Sequence, residues 1–214
     1  MKLHSESFAD GATIPGEYCF AVIDPHSHLK LSANRNPRLH WSEAPQAARS
    51  FALICHDPDV PSRGDDVNKD GREVPASLAR MDFFHWLLWD IPAAIHEIAA
   101  GSHSNGVIAR GKPGPQAPGG MHHGLNDYTN WFASEGEMRG NYFGYDGPCP
   151  PWNDARLHHY VFTLYALDVP KLSVEGSLTG ADLRKAITGH TLAEARVTGT
   201  YSLNPNLQAQ PRGA

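Results

Sequence analysis

Carboxylates, imidazoles and phenols that could bind a polar ligand gather in three stretches of this chain, each beside an apolar run. The first is Asp57-Pro58-Asp59-Val60-Pro61-Ser62-Arg63, directly after the run SFALIC. It sets two carboxylates at a strand's end, in a loop fixed by two prolines. Taken alone it also fits a plain turn with Asp capping its own backbone. The second is His85 inside FFHWLLWDI. A histidine in so apolar a strand must find a partner or stay neutral, so a satisfied core histidine is the competing reading. The third is Gly144-Tyr145-Asp146-Gly147-Pro148-Cys149-Pro150-Pro151, followed by Leu157-His158-His159-Tyr160. In a strand His158 and Tyr160 share one face, and His159 points the other way as a surface or packing residue. If Asp57, His85, His158 and Tyr160 converge, a phosphate would find N–H and O–H donors there, with backbone N–H groups near Gly147. The carboxylates would orient the imidazoles and favour their protonated form. An ammonium on the same ligand could sit against an Asp, which suits a zwitterionic head group. Affinity would then fall from about pH 6 to 8, as the histidines lose their charge.

Other catalytic and metal patterns fail on inspection. Gly106 to Gly111-Lys112 has phosphate-loop spacing, but Pro113 stands where the magnesium-binding Ser/Thr is required. His96-Glu97 begins like a zinc-protease motif, but position 100 is Ala. No GxSxG nucleophile elbow is present. His122-His123 and His158-His159 are adjacent, so in strands their side chains diverge and cannot easily grip one metal. No metal and no cofactor is expected.

Strands must position these groups. Tyr18 to Ile23, Ser50 to Cys55 (stopped by Asp57-Pro58), Phe83 to Ile91, Tyr160 to Leu167 and Ala195 to Tyr201 read as strands. The aromatic Phe83 to Ile91 run reads as a central strand buried on both faces. One helix is clear: Thr179 caps, Asp182 sits in the first turn, Leu183, Ala186 and Ile187 form the stripe, and Gly189 ends it. Gly101 to Pro151 is too long for a simple connection, and its aromatics argue for an ordered excursion over a β core.

Composition narrows the rest. The 214 residues suit one domain, and 41% hydrophobic with 19% charged residues is ordinary for a globular chain. A net charge of −5 without a Lys/Arg cluster excludes a field that would gather nucleic acid or coat an anionic membrane. No apolar run reaches membrane-spanning length and the N-terminus is polar, so a cytoplasmic protein is expected. Cys19, Cys55 and Cys149 form no CxxC pair and fit reduced thiols.

The order DPDVPSR, FFHWLLWDIP, GYDGPCPPWND and LHHYVFTLYALDV, with GHTLAEARVTGTYS near the C-terminus, closely resembles the phosphatidylethanolamine-binding (Raf kinase inhibitor-like) family, especially its bacterial and archaeal branch. The resemblance runs from about Tyr18 to Tyr201. It implies a mainly-β fold, a large central antiparallel sheet packed on a smaller one with few short helices, and a small anion pocket at the sheet's end. Its pocket residues map onto Asp57, Asp59, His85, His158 and Tyr160, with Gly147 and Pro148 as rim. It also implies a cis peptide after the Asp pair, at Val60-Pro61. The mammalian members' C-terminal helix has no counterpart pattern in NPNLQAQPRGA, and the His103 to Tyr145 excursion belongs to the prokaryotic branch, so Raf-type inhibition does not carry over with the pocket.

The leading expectation is a non-enzymatic binding protein for a phosphate-bearing small molecule or phospholipid head group. A second is a regulator that takes a phosphorylated or acidic side chain of a kinase or protease into the same pocket. A third is a hydrolase with Asp57 and His85 as base and orienter, though no Ser or Cys is placed as its nucleophile. Two copies could pair as a homodimer through the aromatic excursion.

Overall fold

The computed structural model describes residues 1–208. Strands β1 (Lys2–Ser5), β2 (Ala21–Asp24), β3 (His28–Leu31), β4 (Leu39–Ser42), β5 (Ser50–Pro61), β6 (Arg80–Pro92), β7 (Glu97–Ile98), β8 (His122–His123), β9 (His158–Leu167) and β10 (Thr191–Tyr201) alternate with few helical turns. These are α1 (Tyr128–Trp131), α2 (Gly180–Ile187), α3 (Pro205–Gln208) and two 3-10 turns, Gly16–Tyr18 and Pro118–Gly120. The central sheet is antiparallel in the order β10-β9-β5-β6-β8, and a smaller sheet runs β1-β4-β7. β2 and β3 form a separate hairpin.

Period-two patterning explains the layers. Phe51, Leu53 and Cys55 of β5 point to one face with Trp86 and Leu88 of β6, where Leu3, Leu39, Trp41 and Ile98 of the smaller sheet join the same core. Ala52, Ile54, Leu87 and Trp89 point to the other face and meet Leu183 and Ile187 of α2. α2 lies close enough that a Cβ on Gly180 would come within 2.3 Å of the Phe84 ring. Its start is a full capping box: Thr179 Oγ1 accepts from Asp182 N, and Asp182 Oδ2 accepts from Thr179 N. Thr179→Ala is expected to lower stability by about 1 kcal/mol, read as a shifted denaturation midpoint.

The strands expected from sequence form, most with longer ends. β5 does not stop at Asp57-Pro58. It continues to Pro61, because its pairing with β6 shifts register three times, between Phe51 and Leu53, between Cys55 and His56 and between Asp57 and Val60, the last two beside the prolines. Such irregularities leave residues outside the ladder, so Pro58's missing donor goes unfelt. The Tyr18 to Ile23 run begins instead as a 3-10 turn and becomes strand only at Ala21, since Phe20 and Ala21 both donate to the Pro148 carbonyl. Val60-Pro61 is not cis; among the described residues the cis bond is Gly114-Pro115. The C-terminal stretch does make a helical turn, α3, and residues 209–214 lie outside the described residues.

Candidate functional site

The 101–151 excursion is ordered over the core, as its aromatics required. β8 extends the central sheet by pairing with Leu88 and Trp89. Tyr142 and Tyr145 are fully buried. Lys112 fixes the return of the loop: its ammonium lies 2.8 Å from Asp146 Oδ2 and donates to the Tyr145 carbonyl. Asp146 accepts further hydrogen bonds from Asn34 Nδ2 (2.7 Å) and Asn126 Nδ2 (2.8 Å). Burial pushes Lys112 down and Asp146 up, so each opposite charge answers the other's desolvation.

That network holds the loop against β6. Asp146 N–H donates to the His85 carbonyl, and His85 Nδ1 lies 2.7 Å from the Asp146 carbonyl. A carbonyl only accepts, so Nδ1 carries the proton and a neutral ring keeps a lone pair on Nε2. The ring is neutral: burial lowers His85 to about 4, against the opposite pull of Asp57 and of the Asp146 carbonyl.

Beneath this, β5, β6, β9 and the loop before β9 carry a buried charge ladder. Arg80 grips Asp154 in a bidentate pair (2.5 and 3.0 Å). Asp154 Oδ2 lies 3.1 Å from His158 Nε2, and Asp57 Oδ2 lies 2.6 Å from His158 Nδ1. Both ring nitrogens face carboxylates, so both donate and His158 is an imidazolium. Burial opposes that charge, but the bonds to Asp154 and Asp57 raise the group to about 9. Asp57 Oδ1 is engaged by the Asp59 N–H.

A cavity of about 350 Å³ opens over these groups. Its polar lining includes Asp57, His85 and Tyr160, which are 1%, 3% and 1% exposed, while Leu31 and Trp131 of its rim are 59% and 49% exposed. Asp57, His85 and Tyr160 therefore sit deep, while the exposed Leu31 and Trp131 share the mouth with the exposed Asn68. Phe20, Phe83, Tyr128 and Phe132 line the walls, joined by ring contacts from Phe20 to Tyr128 (4.7 Å) and from Phe83 to Tyr128 (5.3 Å). Among the described residues no Lys or Arg lines it. Of the buried side-chain polar atoms without a hydrogen-bond partner among the described residues, Tyr160 Oη is the one whose residue lines the cavity.

The structure thus brings Asp57, His85 and Tyr160 to one cavity and separates the other residues singled out in the sequence. His158 is fully buried behind Asp57 and does not line the cavity. Asp59 is turned away; its carboxylate meets His159 Nδ1 at 2.8 Å and Arg156 at 3.2 Å, and it lies within the register shift between Asp57 and Val60. Gly147 and Pro148 do not line the cavity either; Cys149, Pro150 and Pro151 do. The Gly147 N–H is already donated to Asn34 Oδ1 at 2.8 Å. The expectation of protonated pocket imidazoles splits: His158 is charged but out of reach, and His85 is in reach but neutral. Lys112, Asn34 and Asn126, which hold the loop, were not legible as site residues. For Lys112 and Asn126 the one signal was polarity in a loop too aromatic to be disordered; Asn34 lies outside that loop, between β3 and β4, and carried none.

The histidines also set the pH response of stability. His85, His123 (lowered to about 3) and His103 (lowered to about 4) are held neutral by burial. The unfolded chain protonates them near pH 6.5 and the native chain does not, so stability falls as pH drops from 6.5 toward 4. The well-buried pair His85 and His123 alone gives a slope of about 3 kcal/mol per pH unit. His158 acts in the other direction: its contribution is complete below about pH 6.5 and fades as pH rises through about 9. Denaturation midpoints from pH 4 to 10 should peak near neutrality, and His158→Gln should flatten the alkaline limb.

The sequence profile of the phosphatidylethanolamine-binding protein family matches residues 4–202. The chain belongs to that family. It is 31% identical over 201 residues to a UPF0098 protein of Chlamydia muridarum, covering 94% of this chain and 98% of that one. It is 30% identical to a UPF0098 protein of Methanothermobacter thermautotrophicus with the same coverage. A crystal structure of a phosphatidylethanolamine-binding protein homologue, CT736 of Chlamydia trachomatis, superposes with a TM-score of 0.60 at 28% identity, covering 94% and 96% of the two chains. Escherichia coli YbcL has the same fold, with a TM-score of 0.66 at 24% identity and 94% and 97% coverage. Among the described residues no helix is long and apolar enough to cross a membrane.

Proposed function

We propose that this chain is a non-enzymatic binding protein that takes the polar head of a small amphiphilic, phosphate-bearing ligand into the Asp57–His85–Tyr160 cavity. The carrying observation is Tyr160, which lines a mostly apolar cavity and whose buried hydroxyl has no partner among the described residues. A buried hydroxyl left unbonded is unfavourable, and a ligand oxygen would complete it. The aromatic walls and the apolar Leu31 and Trp131 at the mouth suit the ligand's carbon part, and the volume is at the small end for ligand sites. Of phosphate-bearing ligands, an ethanolamine-type head fits well, because its ammonium can donate to Asp57 and His85 Nε2.

A binding role is favoured over hydrolysis by the lining itself. Cys149 is its thiol, and burial pushes that group up to about 12, leaving it protonated and weakly nucleophilic. The exposed Leu31 and Trp131 at the mouth favour a second reading, in which a phosphorylated or acidic side chain of a protein partner such as a kinase or protease enters the cavity. Calorimetric titration with O-phosphorylethanolamine tests the first reading. Saturable binding that His85→Ala loses supports it; no heat with a folded wild type overturns it and leaves phosphopeptide capture as the alternative to measure.

A further inference from the structure

We propose that the cavity discriminates ligands by protonation: the head group must itself bring a hydrogen-bond donor, so a protonated phosphate or an ammonium is accepted and a fully deprotonated oxyanion is refused. This rests on the binding role proposed above and names its selectivity. It follows from a census of donors and acceptors. His85 Nδ1–H is committed to the Asp146 carbonyl, leaving Nε2 as an acceptor. Both His158 nitrogens are committed to Asp57 and Asp154. The Gly147 N–H is committed to Asn34, and Tyr128 Oη donates to the Gly147 carbonyl. Asp57 offers carboxylate oxygens, which only accept. Tyr160 Oη is the remaining donor in this group.

At the deep end of the cavity an anion without a proton would therefore meet the Tyr160 hydroxyl as its one oxygen or nitrogen donor against two acceptors, one of them anionic; the Cys149 S–H donates only weakly, and the Asn68 amide lies at the exposed mouth. Lone pair would face lone pair at Asp57 and at His85 Nε2, with no Lys or Arg among the described residues lining the cavity to offset the repulsion. A monoprotonated phosphate turns this around: one P–OH donates to Nε2 or Asp57 while another oxygen accepts from Tyr160. Protonating His85 instead would require a second buried positive charge near His158, which already lowers His85.

The titratable groups around His85 come from several elements. β5 supplies Asp57, β9 supplies His158 and Tyr160, α1 supplies Tyr128, and the loop supplies Asp146 and Cys149. His56, with its ring against Phe84, adds a like charge that also lowers His85.

Methyl phosphate and sulfate separate the alternatives. The phosphate monoester has its second pKa at about 6, and sulfate carries no proton across the range. With the wild-type chain between pH 5 and 8, methyl phosphate should weaken about tenfold per pH unit above about 6. Sulfate should bind at least about a hundredfold more weakly than methyl phosphate at pH 5, a difference of about 2.8 kcal/mol. His56→Gln should leave the profile unchanged. Sulfate binding comparable to methyl phosphate at pH 5 would place the proton on the protein and overturn the inference, as would a flat methyl phosphate profile. O-phosphorylethanolamine at pH 7.5 guards the functional reading: its ammonium still donates, so it should bind where methyl phosphate has weakened. If O-phosphorylethanolamine, methyl phosphate and sulfate all fail to bind at every pH, the functional reading itself falls, and the selectivity with it.

Discussion

Replacing Tyr160 with Phe should make the protein more stable and a weaker binder at once. The hydroxyl is buried with no partner among the described residues, and a buried unsatisfied hydroxyl carries a penalty of about 1–3 kcal/mol. Deleting one oxygen leaves the ring contact with His85, at 5.1 Å between centroids, in place. The denaturation midpoint should therefore rise. If a ligand oxygen completes this hydroxyl, its loss should lower affinity for O-phosphorylethanolamine by about tenfold to a hundredfold, the worth of one hydrogen bond to a charged group. The two signs together identify a group kept for binding at the expense of stability. A Phe variant that is less stable would show that Tyr160 Oη has a structural partner, and one that binds unchanged would remove it from the site.

Lys112→Met should be the most damaging single change away from the cavity wall. The side chain is 7% exposed and faces Asp146, which is fully buried. Removing one partner of such a pair leaves a buried carboxylate without its charge, and the loss is about 3–5 kcal/mol. Asn34 and Asn126 still donate to Asp146, which places the expectation toward the lower end of that range. The double variant Lys112→Met with Asp146→Asn should recover part of the loss, because no uncompensated charge then remains. Urea midpoints for the two single variants and the double close the cycle. Ligand affinity should fall in the Lys112 variant as well, since the loop it fastens supplies the carbonyl that sets the His85 tautomer. Additive losses in the double variant would contradict a coupled pair.

Legibility in the sequence followed periodicity. β5, β6, β9 and β10 show as apolar or alternating runs, and α2 shows through Thr179, Asp182 and its apolar stripe, because burial on defined faces imposes those patterns. The smaller sheet did not show. β1, β4 and β7 are four, four and two residues long and carry polar residues such as His4, His40 and Glu97, too short for a period to register. The end of β5 misled for a related reason. Asp57-Pro58 reads as a turn, yet the register shifts carry the strand through it, and those shifts depend on β6 rather than on β5's own residues.

The site was legible as a set of residue types but not as a division of labour. Sequence spacing put His158 and Tyr160 on one strand face and left the convergence of Asp57 and His85 with them as a condition. It could not show that Asp57 and Asp154 enclose His158, that Asp59 turns to His159, or that Asn34, more than a hundred residues from Gly147, takes the N–H expected to face an anion. Those outcomes depend on contacts between distant segments. The charge states followed the same route: imidazoles near carboxylates suggested protonation, and burial reversed that for His85 but not for His158.

The most direct measurement is a crystal structure of the chain grown with O-phosphorylethanolamine. The head group should lie in the cavity, one phosphate oxygen within hydrogen-bond distance of Tyr160 Oη and a ligand donor within reach of His85 Nε2, with the His85 Nδ1 contact to the Asp146 carbonyl preserved. A ligand bound elsewhere while this cavity stays empty would contradict the account.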